Sequence, residues 1–173
     1  MTISKILAKA DKETLHEIIR EAESFLADQL SSGLAADQRA LAFAGALAAG
    51  AIVVFGAGAS ILLGNSIPHL IGWMGISVSV VLILSVYRAV KSSMPSEFYF
   101  TGNAPSEWIG DVVKKKPLTE SLAEQAQHYD ENIKKNGKIL RENAKQMAGA
   151  IWLAWGGLLI GATLTTIILK SST

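Results

Sequence analysis

The sequence predicts an all-α membrane protein with three transmembrane helices and a cytoplasmic helical region. The stretch from Ala40 to Tyr87 contains no Asp, Glu, Lys or Arg, and a helix needs only about 20 apolar residues to cross a bilayer core. That stretch is long enough for two crossings. Gly64-Asn65-Ser66-Ile67-Pro68-His69 interrupts it near its middle, so it reads as two spans joined by a tight turn. A second charge-free run, Met147 to Leu169, supplies the third span. Half of the 173 residues are hydrophobic, and a chain this short cannot surround three such helices with polar ones in water.

Lys and Arg set the orientation. Arg39 precedes the first span, Arg88 and Lys91 follow the second, and Lys134, Lys135, Lys138, Arg141 and Lys145 precede the third. The other side holds only the uncharged turn at 64–69 and Lys170. The expected order is therefore a cytoplasmic amphipathic helix (1–38), a transmembrane hairpin (39–90), a cytoplasmic loop and helix (91–146), a third transmembrane helix (147–169) and an external tail (170–173). The first span lies behind a charged segment, so it does not read as a cleavable signal.

Residues 11–37 place Leu15, Ile18, Ile19, Ala22, Phe25, Leu26, Leu30 and Leu34 at helical spacing. Glu17, Arg20, Glu21, Glu23, Ser24 and Asp28 occupy the opposite face, with Glu17 in reach of Arg20. No proline interrupts 11–63, so this helix is expected to continue into the first span, with Gly33 as the place for a bend. Its acidic polar face suits a partner helix better than an anionic lipid surface.

Ser92 to Pro117 holds three of the four prolines, yet also Phe98, Tyr99, Phe100 and Trp108. Disordered linkers lack aromatics, so an ordered loop is expected, with 97–101 extended or a short strand. Ser106 is the expected N-cap of a short helix through Lys114. After Pro117 a helix begins at Leu118. Its positions Leu122, Ala126, Tyr129, Ile133, Asn136, Leu140, Asn143 and Met147 alternate by four and three, the spacing of a coiled-coil seam. Asn in such a seam fixes register and subunit number when it pairs with another. Gly137 allows a local break. Beyond Met147 this helix is expected to enter the third span, so that its movement reaches the membrane.

Catalytic chemistry finds little support. His16, His69 and His128 lie on different expected elements, and there is no cysteine, so no metal site is legible. Gly56-Ala57-Gly58-Ala59-Ser60 lacks the Lys of a phosphate loop and lies at membrane depth. No cofactor is implied, and the expected class is not an enzyme. Spans without internal charge also argue against ion-coupled transport. Small residues dominate instead: Ala42, Gly45, Ala46, Ala49, Gly50, Gly56 and Gly58 in the first span, and a G-x-x-x-G at Gly157 and Gly161 in the third. They serve packing within the subunit or self-association. Hydroxyls at depth, Ser60, Ser77, Ser79, Ser85, Thr163, Thr165 and Thr166, bond back to their own helices or border a pore between subunits.

Net charge is only +1, so an electrostatic partner must meet a local patch. Lys114, Lys115 and Lys116 are consecutive, and Lys134, Lys135 and Lys138 begin a second band. Positive-inside anchoring and a solvated turn account for them in one reading. In the other, copies around an oligomer form a basic ring in which Tyr99, Phe100 and Trp108 stack on single-stranded nucleic acid or a nucleotide.

Two stretches carry a resemblance: Ala35-Ala36-Asp37-Gln38-Arg39-Ala40 before the first span, and Thr101-Gly102-Asn103-Ala104-Pro105-Ser106-Glu107-Trp108 in the loop. With them, the layout resembles the small membrane effectors of bacterial antiviral operons, in particular the Hailong type. The resemblance implies a homo-oligomer, a tetramer, in the bacterial inner membrane. It also implies an ion-conducting pore whose opening depolarises the cell, controlled by a nucleotide or DNA oligomer from a nucleotidyltransferase partner. It assigns no residue a role. The competing class is a non-conducting membrane scaffold whose aromatic loop docks another protein.

Overall fold

The structure is a computed structural model and describes residues 2–64 and 68–171. Among them every regular element is helical: α1 (Ile3–Leu7), α2 (Lys12–Leu63), α3 (His69–Ser92), a 3-10 turn at Pro105–Trp108, α4 (Ile109–Val113) and α5 (Leu118–Ser171). The segment 97–101 has no strand partner. The tight turn expected around Asn65, Ser66 and Ile67 lies outside the described residues, as does the end of the 170–173 tail.

α2 runs 52 residues and α5 runs 54. Neither breaks where a glycine allowed it. At Gly33 the helix continues, and a Cβ there would lie 3.1 Å from the ring of Phe98, so the glycine admits an aromatic side chain against the helix. Gly137 likewise stays helical within α5. Asp11 caps α2, its carboxylate accepting the Thr14 N–H at 2.7 Å and the Thr14 hydroxyl at 2.9 Å. These bonds hold its pKa below the ordinary carboxylate value, the Thr14 N–H first. Ser106 does not cap a helix. Ala104 precedes the 3-10 turn and no side chain caps it.

The chain divides into two compact units. A polar unit comprises Met1–Ala35 and Ser96–Leu140; an apolar unit comprises Ala36–Pro95 and Arg141–Thr173. In the polar unit, Leu15 of α2 meets Leu122 and Ala123 of α5, with Leu7, Ala8, Ala10, Ile19 and Trp108 packed around them. α1, absent from the sequence reading, covers this cluster, its Ser4 N–H donating to Gln127 Oε1 at 3.0 Å.

In the apolar unit, α2, α3 and α5 each hold a segment long and apolar enough to cross a membrane. One layer joins Ala44, Ala89 and Ala150, one alanine from each helix; the next joins Ala51, Leu82 and Ala154. Such small side chains let the helices approach closely. α2 and α3 approach closely at Gly58, where a Cβ would lie 2.8 Å from the Gly72 carbonyl oxygen. The outer surface keeps Ile52, Val53, Leu63, Trp152 and Leu159 more than half exposed. That much apolar surface requires hydrocarbon or neighbouring protein around it.

Candidate functional site

The polar unit owes its organisation to a loop stitched onto α5. Asn136 is fully buried. Its Oδ1 accepts the Tyr99 N–H and its Nδ2 donates to the Tyr99 carbonyl, both at 3.0 Å. One side chain thus satisfies both backbone groups of a loop residue, as a neighbouring strand would. Two turns earlier on α5, the buried Tyr129 hydroxyl accepts the Gly102 N–H at 2.8 Å and donates to Glu23 Oε1 at 2.9 Å. Gly102 sits at φ +84°, a conformation that only glycine adopts without strain. Asn103 Nδ2 donates to Gln125 Oε1 just below. Gln29 of α2 donates to the Ile133 carbonyl at 3.1 Å. Burial, then the Glu23 carboxylate, raises the Tyr129 phenol above its ordinary value.

These bonds take Tyr129 and Asn136 out of the expected subunit seam. Tyr129 and Asn136 have their polar atoms committed inside the subunit, and Leu140 lies 3.5 Å from where a Gly33 Cβ would stand. The 4–3 spacing is real, but the partners are α2 and the loop of the same chain. Gly157 and Gly161 are likewise used internally: Cβ atoms there would meet Val81 and Val78 of α3 at 2.6 and 2.5 Å. Ile133 and Asn143 are half-buried.

The hydroxyls divide in the same way. Ser85 donates to the Ala150 carbonyl of α5, while Ser79 and Ser92 bond back to Ile76 and Ala89. All three are buried within the bundle. Ser60, Ser77, Thr163 and Thr166 are exposed but bond to the carbonyl four residues earlier on their own helices.

The expected ligand residues fall into two groups. In the first, the Lys135 amine stands 4.8 Å from the centre of the Tyr99 ring. Phe100 is 64% exposed beside it in sequence, and Lys138 is exposed one turn further along α5. Lys134 is held by Asp130 at 2.6 Å. In the second, Trp108 packs half-buried against Leu15, Leu122 and Ala123. Lys116 is tied to Glu124 at 2.5 Å and to Asp111 at 3.6 Å. Glu124, first, raises its pKa, and a Ser121 hydrogen bond followed by Lys116 lowers that of Asp111. Lys114 and Lys115 remain exposed, neither in a salt bridge among the described residues. The Lys triplet is therefore not one patch.

Beside Lys116 lies a cavity of about 190 Å3 lined by Asn103, Trp108, Asp111, Glu124, Gln125 and His128. Its carboxylates make it hostile to phosphate. No cluster of three His, Asp or Glu suited to a metal ion occurs among the described residues.

Sequence reading placed Glu23 on the solvent face and assigned Phe98 and Gln125 no role. Glu23 lies at the edge of the apolar stripe, the one signal that it turns inward. Phe98 could have been paired with a glycine on a helix, but nothing in the sequence says which. No known protein family, characterised protein or solved structure matches the chain.

Proposed function

We propose that this protein is an oligomeric membrane effector, an ion-conducting pore whose state is set by a ligand at the polar unit. The observation that carries the reading is the continuity of α2 and α5, each helical from the polar unit into an apolar segment. A rotation or shift of the loop-stitched helices there has no break at which to dissipate. Apolar residues exposed around the second unit leave room for neighbouring copies. Trp73 and Tyr87, both mostly exposed, bracket α3 as interfacial aromatics do. The positive-inside distribution supports a cytoplasmic polar unit, and the resemblance supplies the antiviral setting and depolarisation as the outcome.

The ligand this reading favours is a nucleotide or single-stranded oligonucleotide. Its phosphates would meet Lys135 and Lys138 and a base would stack on Phe100, beside Tyr99. The competing scaffold reading draws support from the hydroxyls, which are bonded to backbone and offer no continuous polar line through the spans. Planar-bilayer recording of the purified protein decides between them. Unitary currents that respond to added nucleotides or oligonucleotides are expected, and Lys135→Glu with Lys138→Glu should abolish the response while sparing the current. A silent bilayer under all these conditions rejects the pore.

A further inference from the structure

We propose that the α4 corner of the polar unit, with Ile109, Val112, Val113, Lys114 and Lys115, docks on the acidic ridge Glu13, Glu17, Glu21 and Phe25 of α2 in a second copy of this chain. The corner is fixed on one side only. Trp108 and Lys116 anchor it to Leu15, Leu122 and Glu124, and Asp111 bonds Ser121. The residues between them face outward: Ile109 is 61%, Val112 73% and Val113 75% exposed. Three apolar side chains and the exposed Lys114 and Lys115 amines, neither in a salt bridge among the described residues, thus form a basic, greasy knob.

The same subunit carries the complementary surface. Glu13, Glu17, Glu21 and Phe25 recur every four residues, a single ridge on α2. By helix periodicity the carboxylates point away from Leu15, Ile19 and Leu26, the side that packs within the unit. Arg20 bonds both Glu17 and Glu21 at 2.6 Å, but one guanidinium cannot neutralise two carboxylates, and Glu13 adds a third. Phe25, 53% exposed, ends the ridge as its apolar contact.

Knob and ridge lie near the same level, because Trp108 beside α4 packs on the Leu15 cluster and Leu15 lies between Glu13 and Glu17 in sequence, while by helix periodicity the ridge occupies the face of α2 away from Leu15. Copies related by rotation about one axis would bring each knob to the next ridge, a head-to-tail contact that closes into a ring. A knob-to-knob contact would oppose lysines. The inference rests on the self-association proposed above and names the surface that carries it in the polar unit.

The absence of cysteine makes disulfide trapping direct. Full-length Val113→Cys and Glu17→Cys copies, differently tagged, are co-expressed in membranes and oxidised, with Val112→Cys as a second probe position. A mixed-tag dimer is expected, and neither variant should cross-link alone. Lys114→Glu with Lys115→Glu should lower the mixed product roughly tenfold, and Glu13→Lys with Glu21→Lys in the other copy should restore it. Cross-linking within one variant, or none in a preparation whose native mass is oligomeric, overturns the interface and leaves self-association standing. A monomeric native mass overturns both, and so does a knob that holds a separate acidic protein on a monomeric chain.

Discussion

In the polar unit, side chains reach across to backbone: Asn136 to both groups of Tyr99, Tyr129 to Gly102, Gln29 to Ile133. In the apolar unit, backbones reach toward each other through missing side chains: Gly58 against Gly72, and Ala44 against Ala89 and Ala150. Water explains the difference. In water a loop must have its buried N–H and C=O groups paired, and polar side chains can do so at tolerable cost. In hydrocarbon the helices satisfy themselves, no hydrophobic force draws them together, and close packing is what remains. One side-chain change in the polar unit should therefore break hydrogen bonds, and one added methyl in the apolar unit should break packing.

The largest effect is expected at Asn136. Asn136→Leu leaves the Tyr99 N–H and carbonyl without their partner, a cost of about 3 kcal/mol at roughly 1–3 kcal/mol per buried group. Hydrogen exchange of the 97–103 loop should accelerate, with the apolar helices unchanged. Next comes Gly58→Ala. The new methyl would press on the Gly72 carbonyl and the Ile76 nitrogen, 2.8 and 3.1 Å away, and neither backbone atom can swing aside. α2 and α3 must separate, costing about 2 kcal/mol, read as earlier loss of helicity in a denaturing-detergent titration. Gly45→Ala is the control, since nothing lies within 4 Å of its Cβ. Equal effects at the two glycines would remove the packing argument.

Much of this contrast was legible beforehand. Missing charge between Ala40 and Tyr87 announces hydrocarbon, and Pro117 announces the start of α5. The 4–3 spacing of Tyr129, Ile133 and Asn136 announces a buried stripe, but spacing is blind to whether the covering surface belongs to the same chain. The loop settles that, and its path is set by Asn136, Tyr129 and Phe98 acting over long sequence separations. Lys114, Lys115 and Lys116 look equivalent in sequence. Only the fold sends Lys116 to Glu124 and leaves its neighbours exposed.

A smaller effect is expected at Tyr129, and it depends on pH. Tyr129→Phe deprives Gly102 and Glu23 of a shared partner, at about 1–2 kcal/mol. Because the folded state raises the phenol pKa above its ordinary 10.0, the wild-type bond is complete below pH 10. It fades as pH rises through the raised value, where the phenolate would face Glu23. Denaturation curves of wild type and variant should therefore differ at pH 8 and converge well above pH 10. A constant difference would mean that the hydroxyl acts through packing alone.

The smallest effect carries the opposite sign. Lys115 follows the C-cap of α4 at φ 52°, the left-handed conformation in which helices usually place glycine. The Lys115 N–H meets the Val112 carbonyl and the Lys116 N–H meets the Asp111 carbonyl, the latter at 3.0 Å, so the turn is fully bonded in spite of the residue that makes it. A β-carbon there costs roughly 1 kcal/mol, which Lys115→Gly should return as added stability of the polar unit. The same change deletes one amine of the α4 knob. If that knob meets the ridge of a neighbour, Lys115→Gly should stabilise the subunit while weakening the assembly, two readouts moving in opposite directions. Gains in both readouts would return Lys115 to the status of a solvated turn.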